Sequence, residues 1–502
     1  MKKRILFHVL IGFCFALAFA IYSVCLWSTK TFGVGIDEII FTITSPLKGA
    51  DSNVAADAIS FCLPKLLVVI AGYSIFAIID VRLKTSVWLA LQFKKRVFKL
   101  DCRKLLRRVA AIASALSIFA SILYINCEYN LVYYIKSRAN YTTIYEDYYV
   151  SPKDFTYTLI NEDGEYKNLL YIYLESMETT YASHEDGGRQ GTNHIPYLTQ
   201  LAKDNLSFSS STLLGGFHNT IRTGFTMGSL LSITSGIPFA FPVGYNDMGS
   251  REVFASGLTT LGDILEDLGY TQEFLCGSDA GFAGRDFYFK QHGNYEIFDL
   301  FTAREKGYIP EDYFEFWGYE DKYLYQIAKD ELTRLSKEDE PFNLTMLTVD
   351  THHVSGYVCS ECGNEYPTQT ENVVRCADRL LEEFIEWCKQ QDFYEDTIII
   401  ISGDHPRMDT DMVENVEYYD RTVYNCFINA QTPAPDNVTN RVFTSLDMFP
   451  TTLSALGIKW SSDRLGLGTD MFSGRTTLAE ELGYEYLDAE LAKSSRYFKK
   501  FY

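Results

Sequence analysis

Residues 397–406, TIIIISGDHP, decide the fold class. Thr397 to Ile401 are all β-branched, and the four isoleucines in a row leave neither face of an extended segment polar. A strand inside a parallel sheet has that composition, because helices cover both of its sides. Ser402 and Gly403 end the run, and Asp404 and His405 follow. Open α/β sheets bind ligands beyond the carboxyl ends of their strands. A carboxylate next to an imidazole at that position is a candidate pair of ligands for a divalent metal. Taken alone, an Asp-His dipeptide is equally explained by a turn.

Two further stretches repeat the arrangement. NLLYIYLE (Asn168–Glu175) is apolar and aromatic and ends on Glu175; FNLTMLTVDTHH (Phe342–His353) closes with Asp350, His352 and His353. Helical patterns at about 197–205, 257–268, 322–335 and 373–391 alternate with these strands. That order predicts an α/β fold with a doubly wound, mostly parallel sheet over residues 167–475.

The first 130 residues differ in kind. Residues 5–28 contain no Asp, Glu, Lys or Arg, and two shorter apolar runs cover 63–79 and 109–126. The first is long enough to cross a bilayer, and the other two are at the short end for spans. Ten Lys and Arg residues lie between the second and third runs, against two between the first and second, with Lys65 at the margin of the second. The positive-inside rule then puts the amino terminus and the basic segment in the cytoplasm. Three spans place everything after Asn126 outside it, so the expected protein is a multi-pass membrane protein with an extracytoplasmic domain. Residues 131–166 read as a linker, and 476–502 as a tail that forms one or two helices.

Within residues 1–130, 16 Lys+Arg against 7 Asp+Glu give +9, which leaves −29 for the rest of a chain of net charge −20. So acidic a domain excludes nucleic acid as a partner and needs a metal and local cations to hold an anionic substrate. Cys359 and Cys362 form a CxxC for which Cys376 and Cys388 are a poor second pair, so a disulfide is the expected use outside the cytoplasm.

A nucleophile is sought in GGFHNTIRTGFTMGSLLSITSGIPF (Gly215–Phe239). Phe225, Leu230 and Ile233 have helical spacing, with Gly236 and Pro238 as stop signals. Thr223 is then a natural N-cap. The same position puts its hydroxyl where free N–H groups and the helix dipole favour a phosphate.

In order along the chain, the strand ending on Glu, the Thr before a helix, the Thr-His-His and the Gly-Asp-His resemble the alkaline phosphatase superfamily. LESME (Leu174–Glu178), NHIPYL (Asn193–Leu198), FAGRDFYFKQHG (Phe282–Gly293) and DMFPTTLSALG near the end make the chain similar to its membrane-anchored phosphoglycerol transferases, including the lipoteichoic acid synthases. The resemblance implies one divalent ion, manganese with magnesium or zinc as alternatives, held by Glu175, Asp404, His405 and Thr223, with Thr223 as the nucleophile. It implies a phosphatidylglycerol-type lipid donor and a glycan, glycolipid or polyglycerol-phosphate acceptor. His352 corresponds to a substrate-side histidine, with His353 as the alternative, and Arg285 to an arginine that holds phosphate. Ala283 stands where the lipoteichoic acid synthases have Trp, which puts the glycerol pocket in doubt. The same resemblance leaves open a phosphoethanolamine transferase, a sulfatase or a non-catalytic envelope sensor.

Overall fold

The structure is a computed structural model that describes residues 2–33, 35–45, 52–83, 88–93, 96–159, 164–242, 248 and 253–502. Lys48, Lys84, Lys94 and Lys95 of the charge asymmetry, and residues 160–163 of the expected linker, lie outside these. The chain forms two compact units, one of Met1–Ile36 with Asp51–Ile135 and one of Asp37–Ala50 with Lys136–Tyr502.

In the first unit, α1 (Lys2–Thr31), α3 (Ser52–Arg82) and α4 (Cys102–Tyr129) are each long and apolar enough to cross a membrane. About 20 residues suffice to span a bilayer. The last two run well beyond the 17–18 residues of their apolar cores, because their polar ends stay helical. Asp101 caps α4 by accepting from the N–H groups of Arg103 and Lys104. Asp80 near the end of α3 is matched by Arg103 at 3.2 Å, Arg107 at 3.0 Å and His8 at 3.0 Å.

The second unit is built on a six-stranded sheet. Its strands are β1 (Asn168–Leu174), β2 (Thr271–Cys276), β3 (Glu296–Phe298), β4 (Phe342–Leu347), β5 (Thr397–Gly403) and β6 (Asn425–Ile428). They lie in the order β6-β5-β1-β4-β2-β3. All neighbours are parallel except the edge strand β6, which is antiparallel to β5. Side chains of β1 and β5 alternate between two cores: Leu169, Tyr171, Ile398 and Ile400 enter one, and Leu170, Ile172, Ile399 and Ile401 the other. Each such residue contributes about 1.5–3 kcal/mol by leaving water. That double burial is why the strands read as unbroken apolar runs.

Helices complete both cores. Residues of α2 (Ile36–Thr44) and α5 (Thr226–Ser235) enter the first, and residues of α6 (Gln369–Cys388) enter the second. Phe41 on α2 packs its ring 4.3 Å from Phe225, so this helix belongs to the core of the second unit. The tail contributes helices at Leu478–Leu482 and Tyr484–Leu491. It has a definite task. Asp488 accepts the Ile221 N–H at 2.6 Å, and Arg222 donates to the carbonyls of Leu491 and Ala492 while pairing with Asp37 at 2.9 Å. Arg222 is buried, so Arg222→Ala leaves two carbonyls without their donor and Asp37 with only Arg138, at 3.3 Å, as its cationic partner. The variant is expected to lose about 3 kcal/mol of stability, seen as a lowered unfolding temperature of the detergent-solubilised protein; an unchanged temperature refutes a buttressing role for the tail.

Candidate active site

Registration of the strands creates the site. Leu174 of β1 lies opposite Gly403 of β5, so the next residues, Glu175 and Asp404, emerge side by side. Gly403 is required here: a Cβ would come within 2.2 Å of the Met177 carbonyl oxygen. Ser176, at φ 53°, turns the chain and donates its N–H to Asp404 Oδ1 at 2.8 Å, while its hydroxyl donates to Glu175 Oε1 at 2.7 Å. The backbone of Glu175 is fixed from the end of β4, with Thr348 Oγ1 accepting its N–H and Thr351 Oγ1 donating to its carbonyl.

Glu175, Asp404 and His405 each offer a ligand atom within 4.8 Å of the others, and all three are buried. His405 Nε2 lies 3.6 Å from Glu175 Oε1 and 3.3 Å from Asp404 Oδ2. The Nδ1 of His405 is 2.8 Å from the Pro406 carbonyl, which leaves Nε2 as the nitrogen that could serve as a ligand. Asp404 Oδ2 is buried with no hydrogen-bond partner. Burial, and then the charge of Glu175, push the Asp404 carboxyl up to about 7. For Glu175 burial opposes ionisation, but His352 and His405 outweigh it and hold its carboxyl below the usual range. Two buried carboxylates and an imidazole, one oxygen of them orphaned, fit a divalent cation.

The Thr223 hydroxyl spends its hydrogen bonds within its own turn rather than on these three residues. It donates to the Thr220 carbonyl at 2.9 Å and accepts the Thr220 N–H at 2.9 Å, and Asn219 Nδ2 lies 3.2 Å away. The side chain is fully buried in its own turn. The helix starts two residues later than the N-cap signal suggests, at Thr226, with Phe225 in the cap position. Thr226 Oγ1 lies 3.3 Å from His405 Nε2 and 3.4 Å from Glu175 Oε2, and it is the one residue between Arg222 and Ser235 that is not buried. At the first position of α5 its surroundings also include backbone N–H groups without intrahelical partners.

His352 faces the same region. Burial pushes its imidazole down, partly offset by Glu175, so the neutral form prevails; its Nδ1 is 2.9 Å from the His353 carbonyl. His353 stacks against His352 with ring centroids 4.1 Å apart and is held neutral by burial and by the neighbouring cations. Arg285 is buried, with Nε donating to the Phe282 carbonyl and Nη2 to Ser278 Oγ and the Asp279 carbonyl. Asp350 does not join the three ligands; its backbone N–H is bound by Asp321, and burial and Asp321 push its carboxyl far up. Sequence reasoning also passed over Trp317. Its ring packs 4.6 Å from His352 and 5.2 Å from Phe282, and its Nε1 is buried without a partner.

The sulfatase family profile matches residues 167–458, more than half of the chain. The chain belongs to the sulfatase family. This sulfatase-family domain lies within the alkaline phosphatase superfamily. It is 29% identical over 332 residues to phosphoglycerol transferase I of Xanthomonas campestris pv. campestris (strain B100), an alignment covering 65% of this chain and 44% of that protein. Against phosphoglycerol transferase I of Salmonella choleraesuis (strain SC-B67) the identity is 31% over 319 residues, covering 62% and 39%. The chain thus spans less than half the length of these relatives. Among solved structures, the integral membrane protein lipooligosaccharide phosphoethanolamine transferase A from Neisseria meningitidis superposes with a TM-score of 0.52 at 14% identity, over 94% of this chain and 87% of that one. At that identity the likeness concerns the fold alone.

Proposed function

We propose that this protein is a metal-dependent phosphotransferase that moves phosphoglycerol from a phosphatidylglycerol-type lipid to an envelope glycan, glycolipid or glycerol-phosphate polymer, on the outer side of the cytoplasmic membrane. The observation that carries the reading is Thr226, a hydroxyl at a helix start within hydrogen-bonding distance of both His405 and Glu175. The identity to phosphoglycerol transferases I supports the group transferred, and the three long apolar helices support a lipid donor.

Glu175, Asp404 and His405 would hold one divalent ion, manganese being our choice. When bound, such an ion lowers the pKa of a neighbouring hydroxyl and polarises a phosphate oxygen. Thr226 Oγ1 attacks the donor phosphorus, the bond to the diacylglycerol oxygen breaks, and the lipid alcohol leaves with a proton. An acceptor hydroxyl then attacks the phosphothreonine, loses its proton, and restores the Thr226 hydroxyl. Neutral His352, rather than His353, takes up the proton that Thr226 loses and, once charged, passes it to the leaving oxygen. Arg285 balances phosphate charge, its fork pre-set by three bonds to the 278–282 turn. Trp317 lies where it can wall the glycerol pocket, compensating for Ala283. A sulfatase reading is disfavoured, since IRTGFT (Ile221–Thr226) offers no Cys or Ser in a C/S-x-P-x-R setting.

Incubating the purified protein with phosphatidylglycerol labelled in its headgroup is expected to release diacylglycerol and pass the label to an added glycan or glycolipid. Label transfer from phosphatidylethanolamine instead, with none from phosphatidylglycerol, refutes the assignment of the group.

A further inference from the structure

Three cysteines gather away from the catalytic centre. Cys359 and Cys362 lie in the segment between β4 and α6, and Cys376 is two turns into α6. Their sulfurs are all within 4.8 Å of one another, with Cys359 Sγ 3.7 Å from Cys362 Sγ and 4.0 Å from Cys376 Sγ. All are free thiols, not the disulfide expected from the CxxC, and Cys388 takes no part, being buried in the core below α6.

The spacing has a chemical meaning. A disulfide brings sulfurs to about 2.05 Å. Thiolates around a tetrahedral zinc, with bonds of about 2.3 Å, stand about 3.8 Å apart. The two separations bracket that value. An odd number of thiols also leaves one over in any disulfide, whereas all three serve a metal. Arg379 Nη2 lies 3.9 Å from Cys376 Sγ, a cation that offsets the net negative charge of three thiolates on a divalent ion. Cys359 and Cys376 are buried while Cys362 is partly exposed, so the cluster opens to solvent on one side. Among the described residues no fourth His, Cys or carboxylate meets the same spacing, which leaves the fourth position to water.

We propose that Cys359, Cys362 and Cys376 form a second metal site, a three-thiolate zinc staple separate from the Glu175–Asp404–His405 centre. Zinc binding releases the thiol protons to solvent and needs no redox partner. The staple ties the segment that carries His352 and His353 to α6. Hydrogen bonds hold that segment as well, among them the Tyr357 N–H on the Asp350 carbonyl, the Ser355 N–H on Asp409, and Gln369 on the Gly356 carbonyl.

Cobalt(II) tests this, because a thiolate-to-cobalt charge-transfer band in the near ultraviolet cannot come from carboxylates and imidazole. The full chain, purified in detergent under reducing conditions and stripped of metal, is titrated with Co²⁺ and then Zn²⁺. The band is expected to saturate at one equivalent of cobalt, to be erased by zinc, and to survive Asp404→Ala. Cys376→Ser weakens cobalt binding at this site at least tenfold. Buried Cys→Ser changes risk misfolding, so Cys362→Ser, at the partly exposed position, is the deciding variant: it keeps the native circular dichroism and shows the same loss. A wild-type protein without the band, a band that persists in Cys362→Ser, or recovery of two of these cysteines as a disulfide from unreduced protein overturns the proposal.

Discussion

Thr226→Ala is expected to abolish phosphoglycerol transfer, a loss of about 10⁴-fold or more, as for other enzymes stripped of their nucleophile. Thr223→Ala, three residues earlier, is expected to keep turnover within about tenfold and to cost about 1 kcal/mol of stability, the usual worth of a buried hydrogen bond. The contrast arises from where the two hydroxyls spend their bonds. Thr223 both donates to and accepts from Thr220, and its side chain is sealed from solvent. Thr226 is partly exposed and its oxygen is shared between His405 and Glu175. Thr226→Ser should retain part of the activity, since the attacking oxygen survives without the methyl group that restricts its rotamer. Intact-mass measurement after brief exposure to donor gives an independent readout: a phosphoglycerol adduct on wild type and Thr223→Ala, none on Thr226→Ala. An inactive Thr223→Ala beside an active Thr226→Ala would return the nucleophile to the loop.

That pair of threonines also illustrates what a sequence can and cannot reveal. Strands β1, β4 and β5 are legible because burial on both faces demands apolar residues at every position, a signal that survives without any knowledge of neighbours. Their carboxyl-end residues Glu175, Asp404 and His405 stand out by position, but so do Asp350, His352 and His353; the resemblance, not the spacing, singles out the first three as candidate ligands. The helix start is different. Thr223-Gly224 satisfies every local rule for an N-cap, yet Asn219 and Thr220 occupy the hydroxyl and Phe225 is drawn into an aromatic group with Phe41 and Phe239. The aromatic partners sit at other points of the chain, so local spacing misplaces the start by two residues. The short edge strands β3 and β6, of three and four residues, carry too few positions to show a period. Trp317 is invisible, and Cys376 is set aside on spacing, for the same reason that hides the tail's grip on Arg222: each is a meeting of segments that only the fold brings together.

Removing the divalent ion should have two separable effects. EDTA is expected to silence transfer and Mn²⁺ to restore it; restoration by Zn²⁺ alone would favour the phosphoethanolamine reading. The second effect is on stability. An ion bound only by the native state stabilises it by about 2.7 kcal/mol at a hundredfold excess over its dissociation constant, so Mn²⁺ raises the unfolding temperature of the metal-free protein. Asp404→Asn separates the two. In the metal-free protein, Asp404 and Glu175 place two buried carboxylates against each other, and Asp404 Oδ2 has no partner. An asparagine keeps Oδ1 as acceptor for the N–H groups of Ser176 and His405, at 2.8 Å each, and replaces the orphaned oxygen by an NH₂ that donates toward Glu175. Metal-free Asp404→Asn should therefore be at least as stable as metal-free wild type, yet gain nothing from Mn²⁺ and show no turnover. A variant that still gains stability from Mn²⁺ as wild type does would mean that the ion binds elsewhere.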